Sequence, residues 1–158
     1  MKSIHVGDRA PEFAMIASDG RQVSLADFKG NHAVVIFFYP RDNTSVCTQE
    51  ACAFRDAYED FVQAGAVVIG VSRDSNETHQ TFAASQRLPY LLIADVDGSL
   101  RRTFAVPNSM LILPGRVTYI IDRDGIVRHI FNALFKAKEH MEEALRTVRE
   151  LNNRVGTD

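Results

Sequence analysis

Cysteine is scarce in this sequence: two residues in 158. Two are too few for the disulfide framework of a small secreted domain. Their C-x4-C spacing also lacks the second ligand pair that a structural zinc site requires. Excess charge of either sign is missing as well, with a formal net charge of −2. No basic surface therefore argues for nucleic acid, and no polybasic tract for a membrane partner. Apolar runs of transmembrane length are absent, and Met1–Asp8 has no hydrophobic signal core. The expectation is a cytoplasmic protein. The five histidines, His5, His32, His79, His129 and His140, are scattered, with no two at metal-ligand spacing. Repeats, linkers and low-complexity tracts are also lacking. What remains is an ordinary globular composition, 46% hydrophobic and 24% charged, of a length that suits one domain, residues 1–158, with a single core.

The chain divides by hydrophobic period and turn chemistry. Glu12–Ala17 and Arg21–Ser24 read as two short strands joined at Ser18-Asp19-Gly20, an N-terminal hairpin. Ser24 can cap a short helical turn, Leu25–Lys29, ended by Gly30. Ala33–Tyr39 and Ala66–Val71 are continuous apolar runs, as in strands covered on both faces. Between them a helical stripe extends to about Gln63, with Gly65 as its stop. Asp74-x-x-Glu77 reads as a capping box for a helix over Ser75–Gln86. Leu91–Ala94 predicts a strand and Ser99–Phe104 a short helix, followed by an irregular loop over Val106–Pro114. Val117–Asp122 and Ile126–Phe131 predict a hairpin, and a last helix runs from about Lys136 to Asn152. This order implies an α/β architecture, a central mixed sheet flanked by helices.

One stretch carries the chemistry. The apolar strand ends at Pro40, and Cys47, Ala51, Phe54, Tyr58 and Phe61 then recur at helical spacing. Cys47 thus stands near a helix N-terminus, where unpaired N–H groups and the helix dipole favour the thiolate, the nucleophilic form. Thr44, three residues earlier, is positioned to set its hydroxyl beside the sulfur. A cysteine in such a place also reads simply as a small buried hydrophobe. The second thiol, Cys52, lies roughly 140° around the helix and roughly 8–9 Å away from Cα to Cα, on the polar face. That exceeds the usual disulfide span of about 7 Å. Either the two cysteines are unrelated, or their oxidation is coupled to unwinding of the helix start.

At this point the sequence resembles a known family. Pro40-x-x-x-Thr44-x-x-Cys47 matches the signature of the peroxiredoxins, thiol peroxidases on a thioredoxin-like fold, and Glu50 stands where that family carries a glutamate. Cys52 makes the chain similar to the Q type, or bacterioferritin comigratory proteins, whose atypical two-cysteine members use C-x4-C. Further matching segments are Gly7-Asp8-x-Ala10-Pro11-x-Phe13, Phe54-Arg55-Asp56 and Leu113-Pro114-Gly115-Arg116. The chain departs from the pattern at Ser45-Val46, where Q-type members commonly have Pro-Gly.

The resemblance implies a reaction and a set of roles. Cys47 would be the peroxidatic thiolate that attacks a peroxide oxygen, and Cys52 the resolving thiol that forms an intramolecular disulfide with it. Thr44 would hydrogen-bond the sulfur and the substrate, and the N–H groups of Val46 and Cys47 would be fixed donors. Arg116 would stabilise thiolate and peroxide, with Glu50 orienting that arginine and Pro40 shielding the sulfur. Hydrogen peroxide or an organic hydroperoxide would be the substrate, and thioredoxin, or glutaredoxin, the reductant. The resemblance implies no cofactor and a monomer. Two rivals come from other classes. A thioredoxin-like dithiol–disulfide oxidoreductase would want C-x-x-C, and a redox-silent binding module would tolerate loss of Thr44 or Arg116.

Overall fold

The computed structural model describes residues 3–109 and 113–157. A hairpin of β1 (Ala14–Ile16) and β2 (Gln22–Ser24) opens the chain and leads into a 3-10 turn at Leu25–Asp27. The central sheet has the order β5-β4-β3-β8-β9, from β3 (Ala33–Phe38), β4 (Ala66–Ser72), β5 (Leu91–Ala94), β8 (Val117–Ile121) and β9 (Val127–Asn132). β3, β4 and β5 run parallel, whereas β8 is antiparallel to both β3 and β9, so the sheet is mixed. Five helices pack around it: α1 (Ser45–Asp56), α2 (Tyr58–Gln63), α3 (Asn76–Gln86), α4 (Ser99–Thr103) and α5 (Ala137–Thr157).

β3 is buried at all six positions, and its side chains alternate between two cores. Val35, Phe37 and Tyr39 meet Cys47, Phe54, Phe61, Phe82 and Val148 on the face covered by α1, α2, α3 and α5. Val34, Ile36 and Phe38 meet Phe13, Leu100 and Phe104 on the other face. Phe37 stacks on Phe54 with ring centroids 4.4 Å apart. Across the strand pair from Phe37 stands Gly70, where an added Cβ would come within 2.9 Å of the Phe37 ring, so the close packing of this face requires glycine.

Several expectations are corrected. The helix predicted through to Gln63 is two segments, broken at Ala57 (φ −97°, ψ 4°). The Ala57 carbonyl still accepts from Phe61 N–H, so the chain turns slightly there without a proline or glycine to mark it. Ser75, not Asp74, caps α3, its hydroxyl accepting from Thr78 N–H. The Asp74 carboxylate instead accepts from Asp42 N–H and Ser72 Oγ. The loop predicted over Val106–Pro114 contains a two-residue ladder between β6 (Asn108–Ser109) and β7 (Leu113–Pro114), and residues 110–112 lie outside the described residues.

Candidate active site

Cys47 is 1% exposed in the first turn of α1, beyond the C-terminal end of β3. The loop that leads to it, Pro40–Thr44, turns through Asn43 at φ 64°, a left-handed conformation that asparagine tolerates better than most residues. The first intrahelical bond runs from Thr48 N–H to Thr44 C=O at 2.8 Å. The amides of Val46 and Cys47 therefore belong to the turn with no intrahelical acceptor.

Arg116 reaches this sulfur from the start of β8. Its Nη2 donates to Cys47 Sγ at 3.2 Å, its Nη1 to Glu50 Oε1 at 2.5 Å and its Nε to the Leu134 carbonyl at 2.7 Å. Three donors of one planar group are thus fixed by three acceptors, and the guanidinium has a single orientation. Burial opposes its charge, but Glu50 and Cys47 more than offset that and hold its pKa above the ordinary arginine value. Cys47 and Glu50 both face it because residues three apart share a helix face.

Glu50 is completely buried, and burial raises its pKa to about 7 against the opposing pull of Arg116. Its second oxygen, Oε2, has no hydrogen-bond partner among the described residues and lies 3.5 Å from Nδ1 of His140 on α5. His140 Nε2 is 2.7 Å from the Ala133 carbonyl, which can only accept, so that nitrogen carries the proton. Nδ1 is then an acceptor for the Thr118 hydroxyl at 2.8 Å. Burial lowers the His140 pKa to about 4, so the ring is neutral near pH 7, and Glu50 is the member of the pair that takes up a proton first as pH falls.

A second cluster pins the loop itself. Asp42 is buried and accepts from Tyr39 Oη at 2.5 Å, and its Oδ2 lies 2.5 Å from Nδ1 of His79 on α3. His79 Nε2 faces the Ile93 carbonyl at 3.0 Å. Asp42, Asp74 and His79 place ligand-type atoms within 4.8 Å of one another. Those atoms are engaged in bonds to each other and to the backbone, an arrangement that ties the loop to β4 and α3.

The structure brings together Cys47, Arg116 and Glu50. It places Thr44 differently from the expectation. The Thr44 hydroxyl donates to the Arg41 carbonyl at 2.9 Å, so it neither caps α1 nor donates to the sulfur. Pro40 follows β3, half-buried, and lines a cavity of about 340 Å³ together with Arg41, Arg73 and Asp74. Cys52 is a free thiol five residues along the same unbroken helix as Cys47. It is half-buried, not on an open polar face, because the end of α3 packs over it and Gln86 Oε1 accepts from its Sγ at 3.3 Å. Its other side lines a groove of about 540 Å³ between α1 and α5, with Gln49, Asp56, Lys138 and Met141.

Asp42, His79 and His140 were not singled out from the sequence. For His140 a signal exists: it falls on the apolar stripe of the last helix, four residues before Ala144 and eight before Val148. His79 stands three residues before Phe82 on the buried side of α3, a similar though shorter signal.

Comparison with known proteins gives this geometry a context. The family model described as "AhpC/TSA family" matches residues 6–130. The chain is 43% identical over 146 residues to a protein named peroxiredoxin Q, chloroplastic, from Sedum lineare, covering 92% of this chain and 78% of that one. A protein of the same name from Suaeda salsa is 44% identical over 146 residues, with 92% and 68% covered. Among solved structures, peroxidoxin BcpB from Mycobacterium tuberculosis superposes with a TM-score of 0.85 at 31% identity, over 94% of this chain and 98% of that one. Peroxiredoxin Q from Xanthomonas campestris gives 0.82 at 30% identity, over 89% and 91%. This chain carries a buried thiol held by an oriented arginine on the thioredoxin-like sheet it shares with these proteins, and it belongs to the AhpC/TSA family as a Q-type peroxiredoxin, a thiol-dependent peroxidase.

Proposed function

We propose that Cys47 is the peroxidatic residue and Cys52 the resolving one. The observation that carries this reading is the 3.2 Å contact between Arg116 Nη2 and Cys47 Sγ, on an arginine that Glu50 and Leu134 hold from behind. The Cys47 thiolate attacks one peroxide oxygen, the O–O bond breaks, and the products are a sulfenic acid and an alkoxide or hydroxide that takes up a proton. Arg116 and the first-turn amides of α1 are placed to stabilise negative charge on sulfur and on the departing oxygen. Glu50 acts by orienting Arg116, and Pro40 by covering the sulfur on the loop side. Thr44 accepts from a peroxide O–H in its present place and donates to peroxide or sulfur only after its hydroxyl leaves the Arg41 carbonyl.

Cys52 then condenses with the sulfenic acid, forming the Cys47–Cys52 disulfide and releasing water. Both residues lie in one continuous helix, so the first turns of α1 must unwind to bring the sulfurs together. A dithiol of the thioredoxin type reduces the disulfide by exchange and becomes a disulfide itself. Thioredoxin is the reductant in this reading, with glutaredoxin the alternative, and the protein acts as a monomer in the cytoplasm. No described helix is long and apolar enough to cross a membrane. The test is the mass of the protein, with thiols blocked, after one equivalent of hydrogen peroxide, beside Cys52→Ser. A loss of two hydrogens in the wild type and a trapped sulfenic acid in the variant are expected. Two free thiols and unchanged mass would overturn the assignment.

A further inference from the structure

The ladder between β3 and β8 ends at the pair Phe38 and Val117. Just beyond that pair stand two residues assigned to the reaction, Pro40 two positions after Phe38 and Arg116 one position before Val117. Proline has no N–H, so backbone pairing cannot continue across this point. Tyr39 N–H bonds to the other neighbour, Val71 of β4, at 3.0 Å. Something else must hold the two strand ends in register.

Arg101 of α4 occupies that position, approaching from the face of the sheet opposite α1 and α5. It is 8% exposed, donates from Nη2 to the Tyr39 carbonyl at 3.2 Å and from Nη1 to the Gly115 carbonyl at 3.1 Å. Those carbonyls belong to the residues directly before Pro40 and Arg116. The guanidinium carbon lies 5.8 Å from the centroid of the Phe38 ring. The arginine is itself anchored, since the Asp95 carboxylate accepts from the backbone N–H groups of Leu100 and Arg101 at 2.8 and 2.9 Å. Burial pushes its pKa below the ordinary arginine value, and Asp95 and a Cys47 thiolate act to restore it. A cation kept in so unfavourable a place, with its fork divided between two strand ends, suits a geometric task that a neutral side chain could not perform.

We propose that Arg101 is a positioning residue for peroxide reduction, bridging the ends of β3 and β8 so that the loop before Cys47 and the guanidinium of Arg116 keep a fixed separation. It touches neither sulfur nor peroxide and acts through Tyr39 and Gly115. The inference rests on Cys47 being the attacking thiol. Attack on peroxide depends on the alignment of sulfur, Arg116 and the O–O bond, whereas alkylation by iodoacetamide depends mainly on the thiolate fraction and access.

The experiment compares wild type, Arg101→Met and Arg101→Lys, each confirmed folded by circular dichroism. Second-order rates of Cys47 oxidation by hydrogen peroxide and of alkylation are measured across pH. Arg101→Met is expected to lose about 10²-fold in the peroxide reaction, the effect of a misplacement of roughly 1 Å. Its alkylation rate should fall far less. Arg101→Lys keeps the charge but reaches one carbonyl, and its peroxide rate should lie between the two. Peroxide rates equal to wild type in the folded variants, even with a lower melting temperature, would overturn the proposal. Should Arg101→Met fail to fold, Arg101→Lys alone decides: a wild-type peroxide rate overturns the proposal and a reduced one with preserved alkylation supports it. A wild type in which peroxide leaves Cys47 untouched would instead defeat the assignment of Cys47.

Discussion

Two buried histidines face two buried carboxylates near the catalytic turn, and they are built on opposite terms. His79 belongs to α3, which packs toward the β5 edge of the sheet, and His140 to α5, which packs on β8 and β9. The His79–Asp42 pair is closed. Each ring nitrogen faces an oxygen, and Asp42 uses one oxygen for Tyr39 and the other for the ring, so every polar side-chain atom of the pair has a partner. The His140–Glu50 pair is open. Nδ1 and Oε2 are 3.5 Å apart, the Nδ1 lone pair is engaged by the Thr118 hydroxyl, and Glu50 Oε2 lacks a hydrogen-bond partner among the described residues. The closed pair fixes the loop through its backbone. The open pair leaves a carboxyl with a pKa of about 7 whose other oxygen holds the arginine on the reactive sulfur. Complete satisfaction suits a clamp, and a group poised between two protonation states suits control of charge.

Breaking the closed pair should have the largest effect on stability. His79→Leu leaves Asp42 buried opposite an apolar side chain, and removal of one partner from such a pair costs about 3–5 kcal/mol. Denaturant unfolding should report a loss of that order. With the loop's tie to α3 gone, disulfide formation after peroxide treatment should be no slower than in the wild type.

Removing the cation that Glu50 of the open pair holds should act on chemistry as well as on folding. In Arg116→Met the sulfur loses its nearest donor, and kcat/KM for peroxide should fall by about 10²–10³-fold, the usual cost of deleting one donor to developing negative charge. Stopped-flow measurement under excess reductant checks this.

The open pair also makes a prediction about pH. Folded Glu50 keeps its proton up to about pH 7, whereas its ordinary value is 4.5, so its stabilising contribution is present at acid pH and is lost as pH rises through about 7. His140 has the reverse sign. Its pKa is lowered from 6.5 to about 4, so its contribution is present above 6.5 and lost as pH falls through about 4. Between roughly pH 4.5 and 6.5 the two slopes oppose each other, and wild-type stability from this pair is nearly flat. Glu50→Gln should expose the histidine alone, with stability rising as pH increases across that window. His140→Gln should expose the glutamate, with stability falling. Each slope has an upper limit of about 1.4 kcal/mol per pH unit, and unfolding curves collected at closely spaced pH values resolve both.

The smallest effect belongs to Cys52. Gln86→Ala removes the amide oxygen that accepts from its thiol, a bond of roughly 1 kcal/mol or less. Stability should change little, and the Cys47–Cys52 disulfide should form several-fold faster because Cys52 leaves its place more easily. Quench-flow thiol trapping measures that rate.

Local chemistry by itself determined much of this protein. The apolar run at β3, the change to helical period after it and the glycine stops gave the order of elements, since each depends on neighbours a few residues away. The separation of Cys47 and Cys52 was likewise legible, because the rise and radius of a helix set it wherever the helix lies. The place of Arg116 was legible only through a matching motif, for nothing in its own surroundings pairs it with a sulfur 69 residues earlier. Tertiary structure alone decided the remainder. The Thr44 hydroxyl turned to Arg41, Asp74 left its expected cap to serve Asp42, and Arg101 entered from the far face to join two strand ends. Each is a competition among polar partners that only the assembled sheet brings within about 3 Å, and a sequence periodicity records which face a residue occupies but not which of several partners it meets there.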